Sequence, residues 1–507
     1  MGVLKRIILI LCTVSMLISS LLSSLFLLPA LAFAGTCWNG GSIGSAPWSV
    51  VNSSGEPSVE YSDVNYCVNT IAASGETVNL PAGSATWGTK LAIAKAIKIV
   101  GAGIGCPDSC DNATIIINGG ISAPNYLISI IPAAPADNPS VDISGITFDC
   151  NAAGNGILIQ SLDLTYNYYN FRIHHNAIKN ASSAGIFTSG FTYGLIDHNL
   201  LDNNWYNLDI RGREDQYTSL AWAKYTKDVD NTLLYSGLGM GGADFLFSEQ
   251  NKSTNHRANL VHSGECARWV SRYNTIVDGG GELWDIHGDI GNSGVIAAEI
   301  YENTHTATTL RSYLRMVDYR GGTAMVYNNS LMAVPTGVVS VITLREETAD
   351  CALRNGFDMK IHNGYLWNNI NSTGAVNNTY IYTGENSMGT TTDPYNCLTE
   401  GIDYWMDTQN ASQTPTSYFT KDVHANRNLT RCIAEDVYWE TDTIIDGEHS
   451  AGALYRCTTT NNWELIYSPY QYPHPLQGIS NKGTTVINTV GGLNAINIVG
   501  GLNVINQ

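Results

Sequence analysis

Along the middle of the chain, short segments of alternating apolar and polar residues each end on an asparagine. The asparagines are Asn151, Asn176, Asn199, Asn251, Asn274, Asn303 and Asn329, with an eighth at Asn369. In most copies an apolar residue stands three positions earlier: Phe148, Ile173, Ile196, Ile300, Val326 and Leu366. Another often stands five earlier, as at Ile146, Phe171, Leu246 and Trp269, and one returns two later at Ile178, Leu201, Ile276 and Leu331. This is the period-two alternation of a β-strand, a bend at the asparagine, and a second strand. The steps between asparagines are 25, 23, 52, 23, 29, 26 and 40 residues. Steps in the twenties match one coil of a solenoid; the step of 52 reads as two coils and that of 40 as one coil with an insertion. Asparagine suits the bend because it tolerates the left-handed conformation and bonds nearby backbone. Stacked in successive coils, these side chains are also placed to bond one another.

The same pattern divides the chain. Residues 1–34 are a leader, and 35–75 an irregular Gly/Ser-rich lead followed by a helix, with Val64, Cys67, Val68 and Ile71 at helical spacing and Ser62 or Asp63 as N-cap. Strands are expected at Thr77–Leu80 and Ile97–Gly101 with a turn at Pro81–Gly83. The helix would close the open end of a β-helix occupying 76–400, whose edge would otherwise pair with other chains. Residues 401–480 lose the ladder and read as a small disulfide-tied C-terminal cap; 481–507 repeat a Gly-Gly-Leu-Asn unit as a low-complexity tail. Between Asn199 and Asn251, the stretch with Arg211, Arg213, Glu214 and Asp215 also reads as a loop thrown out from one coil.

The N-terminal leader points to export, and the cysteine count suits an exported chain. Lys5 and Arg6 precede an apolar run from Ile7 to Leu31, and Ala32, Phe33 and Ala34 offer a small-residue cleavage site, the form of a secretory signal. A retained membrane anchor is the alternative. No later stretch is apolar enough to span a bilayer, so a secreted or cell-surface protein with no stable membrane insertion after cleavage is expected. Without the two signal cations, 24 of the 26 Lys and Arg remain against 44 Asp and Glu, a net charge of −20. That balance argues against nucleic acid and disfavours acidic polymers unless a cation or a local basic cluster intervenes. Eleven cysteines become ten once Cys12 leaves, an even number in an exported chain. Spacing pairs Cys37 with Cys67, Cys106 with Cys110, Cys351 with Cys397 and Cys432 with Cys457. Cys150 and Cys266 are left to pair across coils or stay as buried thiols.

The run from Thr77 to Gly83, with Ala85 to Trp87 and Ile97 to Gly103, resembles the opening of secreted bacterial right-handed parallel β-helix proteins of the pectin-lyase-like superfamily. Arg272 to Asn274, Asp285 to Gly288, Glu299 to Tyr301 and Arg320 to Thr323 resemble a recurrent central block of such proteins, and Tyr472 to Leu476 their C-terminal end. The resemblance covers most of the chain after the leader. It implies an all-β, right-handed parallel β-helix and leaves activity open, because that fold hosts many functions. Leu195 to His198 resembles the Trp-Ile-Asp-His signature of pectate lyases, yet the Arg-x-Pro-x-x-Arg segment of their base is absent. Of the segments typical of polygalacturonases, Ile286 to Gly288 faintly echoes one. Asp197 and His198 therefore read better as coil-stabilising groups.

The densest polar stretch is 282–320. Glu282, Asp285, His287 and Asp289 lie within eight residues, and Arg311, Arg315, Asp318 and Arg320 follow about one coil later. Stacked coils lie roughly 4.8 Å apart, so residues one coil apart become neighbours. Two mechanisms suit acids beside arginines. A lyase uses Ca²⁺ held by acids, with an arginine, to neutralise a uronate carboxylate while a base takes the C5 proton. A glycoside hydrolase uses two carboxylates as acid and base. The expected assignment is Asp285, Asp289 and Glu282 as metal ligands, His287, Arg315 and Arg320 as catalytic groups, and Trp284, Arg311 and Arg272 as substrate contacts. The bland reading keeps Trp284, Ile286 and Ile290 in a buried strand, pairs Arg320 with Asp318 or Asp285 across coils, and makes Glu299 a stacked structural carboxylate. The function expected is a secreted protein acting on a polysaccharide, a lyase cleaving a uronic-acid polymer by β-elimination. The alternatives are a non-catalytic surface or matrix protein that binds glycans and a glycoside hydrolase.

Overall fold

A computed structural model describes residues 36–38, 47–103, 106–108, 110, 112–131, 140–161, 168–190, 192–212, 239–288, 294–308, 315–332, 340–344, 361–371, 379–383, 398, 400–407, 419–422, 431–478, 486–490 and 493–497. Each coil supplies one strand to each of three sheets, of 13, 10 and 10 strands. Thr192–Asp197, Leu200–Asp202 and Tyr206–Arg211 are one such coil, in the first, second and third sheets in turn. The next is Leu246–Glu249, Lys252–Thr254 and Asn259–Gly264; then come Arg268–Arg272, Thr275–Val277 and Glu282–Ile286. Neighbouring coils pair in parallel and in register, so the chain is a parallel β-helix. One exception is the lead. It forms an antiparallel pair, Thr36–Trp38 with Trp48–Val51, that extends the first sheet instead of staying irregular.

Alternation along each strand builds the interior. In the third sheet Ile157, Ile186, Leu208, Val261, Trp284, Val317 and Ile342 occupy one register column, and all are fully buried. The residue after each points the other way, because successive strand side chains alternate faces.

The asparagines work as expected, with three corrections. The backbone N–H and Nδ2 of Asn199 both donate to Oδ1 of Asn251, at 2.9 and 3.0 Å. The same links join Asn176 to Asn199, and Asn251 through Asn274, Asn303 and Asn329 to Asn369. Asn199 bonds Asn251 directly, so the 52-residue step is one coil carrying an insertion, not two coils. Asn151 lies outside the ladder, at the next corner; Ile146 holds the ladder position in its coil. The left-handed residue is the one before each ladder asparagine, as at His198 (φ 52°), Tyr273 (φ 55°) and Glu302 (φ 56°). The asparagine itself is kept for the side-chain bonds. The 40-residue step is one coil with an insertion, since Asn329 bonds Asn369.

A short helix, Tyr61–Tyr66, runs into a wider turn, Cys67–Ile71, and places Val64, Cys67 and Val68 on the core at the N-terminal end. Its N-cap position is Glu60 rather than Ser62 or Asp63, and Ser58 Oγ donates to Asp63. At the other end Tyr404–Met406 still pairs in the first sheet, just beyond residue 400. The strands Phe419–Asp422, Val437–Glu440, Ala453–Thr459 and Asn462–Tyr467 form a separate sheet. The described part of the C-terminal segment, 431–478, covers one face of the solenoid. It lies back along the outer face of the first sheet, packing Val437, Trp439, Leu454 and Tyr467 against Phe247, Tyr301, Tyr327 and Trp367. Cys37–Cys67, Cys106–Cys110 and Cys432–Cys457 are disulfides, and Cys150 and Cys266 are buried thiols. Cys351, Cys397, the leader and most of the tail lie outside the described residues; the tail strands Val486–Val490 and Leu493–Asn497 pair antiparallel. Among the described residues no helix is long and apolar enough to cross a membrane.

Candidate active site

The outward column of the third sheet changes chemistry halfway along. Leu158 and Phe187 give way to Asp209, His262, Asp285 and Asp318, each in register with the next. A second outward column holds Arg211, Gly264, His287 and Arg320, and a third holds Tyr206, Asn259, Glu282 and Arg315 at the strand starts. Four coils thus bring residues from 206 to 320 into one patch.

Arg211 Nε donates to Asp209 Oδ1 at 2.7 Å, and its Nη2 lies 2.8 Å from His262 Nδ1. Gly264 makes that reach possible, since a Cβ there would stand 3.0 Å from Arg211 Nη1. Tyr206 stacks flat on His262, ring centroids 4.2 Å apart. The Nε2 atoms of His262 and His287 face one another at 2.9 Å. His287 Nε2 also lies 2.8 Å from Asp285 Oδ2 and 2.6 Å from Arg320 Nη2. That nitrogen therefore has a carboxylate acceptor and an obligate guanidinium donor within hydrogen-bond reach. One proton decides which contact is a bond and which a repulsion.

Opposite charges pair within the patch. Arg320 bonds Asp285 and lies 3.4 Å from Asp318; Arg315 lies 3.4 Å from Glu282 and 3.3 Å from Asp318. Burial pushes the Asp285 carboxyl up, but Arg320 and then His287 outweigh it and hold it well below the usual carboxylate range. Burial, then Asp318 and Asp285, push Glu282 up to about 7 despite both arginines.

Of the expected residues, Glu282, Asp285, His287, Arg315 and Arg320 share this patch. Asp289 and Arg311 lie outside the described residues. Trp284 is corrected: it belongs to the interior column, fully buried, with Nε1 donating to Ser271 Oγ at 2.9 Å, so no polymer reaches it. Arg272 is corrected too. It is buried on the first sheet, bonded to Glu249 at 2.6 Å, to Tyr301 Oη, and to the carbonyls of Tyr470 and Gln471. Glu299 accepts from Gly241 N and Tyr467 Oη in the same layer, a structural carboxylate. Asp197 is gripped by Arg172 at 2.9 and 2.7 Å and by His198 at 2.8 Å. Sequence reasoning missed His262 and Asp209. The ladder carried the signal, because the 23-residue step from Asn251 to Asn274, subtracted from Asp285, lands on His262.

Among the described residues, two groups of side chains converge closely enough to share a cation: His262, Asp285 and His287, and Glu282, Asp285 and Asp318. Neither fits Ca²⁺, which takes six to eight oxygens. The first offers two nitrogens. In the second, Arg315 and Arg320 already pair with the three carboxylates.

No protein-family model matches the chain, and no curated protein matches it. Among solved structures it is similar to the ORF18 protein of Geobacillus virus E2, at 10% identity and a TM-score of 0.38, covering 88% of this chain and 82% of that one. An alginate lyase from a Paenibacillus species matches at 9% identity and a TM-score of 0.33, over 64% of this chain and 96% of that one. The catalytic unit of an α-1,3-glucanase from Streptomyces thermodiastaticus matches at 14% and 0.35, over 75% and 73%.

Proposed function

We propose that the chain is a secreted polysaccharide-active protein that cleaves a uronic-acid polymer by β-elimination on the outer face of its third sheet. The observation that carries the reading is the His262–His287 pair, with facing Nε2 atoms 2.9 Å apart between Arg211 and Arg320. A neutral imidazole presents one ring nitrogen that can accept a proton. Elimination needs such a base for the C5 proton and a cation to neutralise the sugar carboxylate. In this assignment His262 takes the proton and His287 shares it. Arg211, with 22% of its side chain exposed against 8% for Arg320 and 2% for Arg315, receives the carboxylate. The C5–H and C4–O bonds break and a C4=C5 double bond forms. The departing oxygen takes a proton, for which Glu282, pushed up to about 7, is a donor. Arg315 and Arg320 stay with their carboxylates as positioning residues, and no step requires Ca²⁺.

The test is to incubate the folded protein with pectate, alginate and glycosaminoglycans, with and without Ca²⁺, and follow the ultraviolet absorbance of unsaturated uronate. Absorbance should appear on one polymer class and fall by about 10² to 10⁴ in His262→Ala, the range for loss of a general base. No absorbance on any polymer would sink the proposal. Reducing-sugar release without absorbance favours a hydrolase instead. That second reading is supported by Glu282 and Asp285, a raised and a depressed carboxyl whose oxygens approach within 4.8 Å. Binding without cleavage favours the glycan-binding alternative.

A further inference from the structure

Of the exposed large apolar side chains among the described residues, Trp205 is the one that leads to the third-sheet site. It is 44% exposed at the corner where the chain enters Tyr206–Arg211. Its ring meets Tyr206 edge-on with centroids 6.5 Å apart, and Tyr206 in turn stacks on His262. A run of three rings thus connects open solvent to the proposed base. One coil further on, the exposed Arg257 brings its guanidinium to 5.7 Å from the Trp205 ring. Arg257 Nη2 donates to the Ala181 carbonyl, and the guanidinium has no carboxylate partner among the described residues. This stands out in a protein carrying 44 acidic and only 26 basic side chains. The nearby Arg211, Arg315 and Arg320 all have carboxylates of their own.

An exposed indole beside an exposed guanidinium is a two-part recognition element. The indole face takes the apolar C–H face of a pyranose ring, and the guanidinium donates to a carboxylate on the same or the adjoining unit. A neutral glycan would use the ring and leave the charge idle. We infer that Trp205 and Arg257 form a binding platform for a uronate unit beside the linkage that is cleaved. The inference rests on the uronate-polymer reading above, and it adds how the polymer is held: one unit on Trp205, its neighbour over Tyr206 and His262. The platform also supplies the local positive charge that a strongly acidic protein needs to hold an acidic polymer.

The experiment is calorimetric binding of hexasaccharides of galacturonate, of mannuronate and guluronate, and of a glucuronate-containing glycosaminoglycan. The carboxyl-reduced, neutral form of each is measured alongside. The wild-type protein, Trp205→Ala and Arg257→Gln are compared, with circular dichroism confirming the fold of each variant. Both side chains are exposed, so folding should be unaffected. Trp205→Ala should weaken acidic and neutral forms alike, by about tenfold, equivalent to roughly 1.4 kcal/mol. Arg257→Gln should weaken the acidic form by a similar factor and leave the neutral form unchanged, and raising the salt should shrink that difference. Variants that bind every hexasaccharide as the wild-type does would overturn the platform, as would a wild-type protein that binds none. Turnover is read separately. Unsaturated product with unchanged variant binding leaves the lyase reading standing and removes the platform. Binding that depends on Trp205 and Arg257 without any product does the reverse.

Discussion

At the scale of single residues, the ladder asparagines and Glu282 show two opposite uses of a buried polar group. Asn274 Nδ2 donates to Ser248 O, Ser271 Oγ and Asn303 Oδ1, and its Oδ1 accepts from Asn251. Every one of those groups is buried, so truncation strands several at once. Unsatisfied buried groups cost about 1–3 kcal/mol each, and Asn274→Ala should lower unfolding stability by about 2–4 kcal/mol in urea titrations. Glu282 is the converse, a carboxyl whose surroundings oppose ionisation. Its folded value, about 7, lies above the ordinary 4.5, so its contribution to stability is complete below 4.5 and is lost as pH rises through 7. Glu282→Gln should flatten the fall in Tm between pH 5 and pH 8 relative to wild type. An unchanged slope would mean that Glu282 ionises freely in the folded protein.

At the scale of elements, the first and third sheets have the same alternation and opposite fates. The outer face of the third sheet carries Asp209, His262, Asp285 and Asp318, each still partly reachable or charge-paired. The outer face of the first sheet carries Phe247, Tyr301, Tyr327 and Trp367 and is covered by the C-terminal segment. Tyr301, Tyr327 and Trp367 stack at 4.7 and 4.2 Å, one per coil. Polar groups fix the segment in place. Glu249 accepts from His474 N and Gln477 Nε2 while Arg272 holds the same carboxylate and two carbonyls of the segment. Arg272→Met leaves Glu249 charged and buried without its cation. The expected cost is about 3–5 kcal/mol, seen in guanidinium denaturation and as earlier protease cleavage between residues 431 and 478.

At the scale of the molecule, the protein is a solenoid whose first sheet is strapped on its outer face by the C-terminal segment. Removing residues 431–507 should expose the aromatic stacks of the first sheet, and contiguous apolar surface of that kind drives association. Size-exclusion chromatography with light scattering should show larger species for the truncated chain than for the whole one. A truncated monomer would mean that the strap is dispensable to the fold. The longer intervals between described strands begin after third-sheet strand ends, after Arg211, Ile286 and Leu344. Length irregularities in a solenoid thus mark the side that has been elaborated.

The sequence alone determined what is local or strictly periodic: strand alternation, the asparagine bend, the coil length and three of the disulfide pairs. Those features repeat at short range, and each copy reports on the others. It also singled out 282–320, because acids and arginines one coil apart must stack. What only the tertiary structure decided depends on register and on which outer face is covered. Register put His262 and Asp209 beside Asp285 and sent Trp284 inward, a difference of one residue in a pattern whose side chains reverse at every step. Coverage turned Arg272 from an expected sugar contact into the anchor of a strap whose carbonyls lie some two hundred residues further along the chain. Long-range closure of that kind has no period, and a periodic pattern is where a single sequence speaks most clearly.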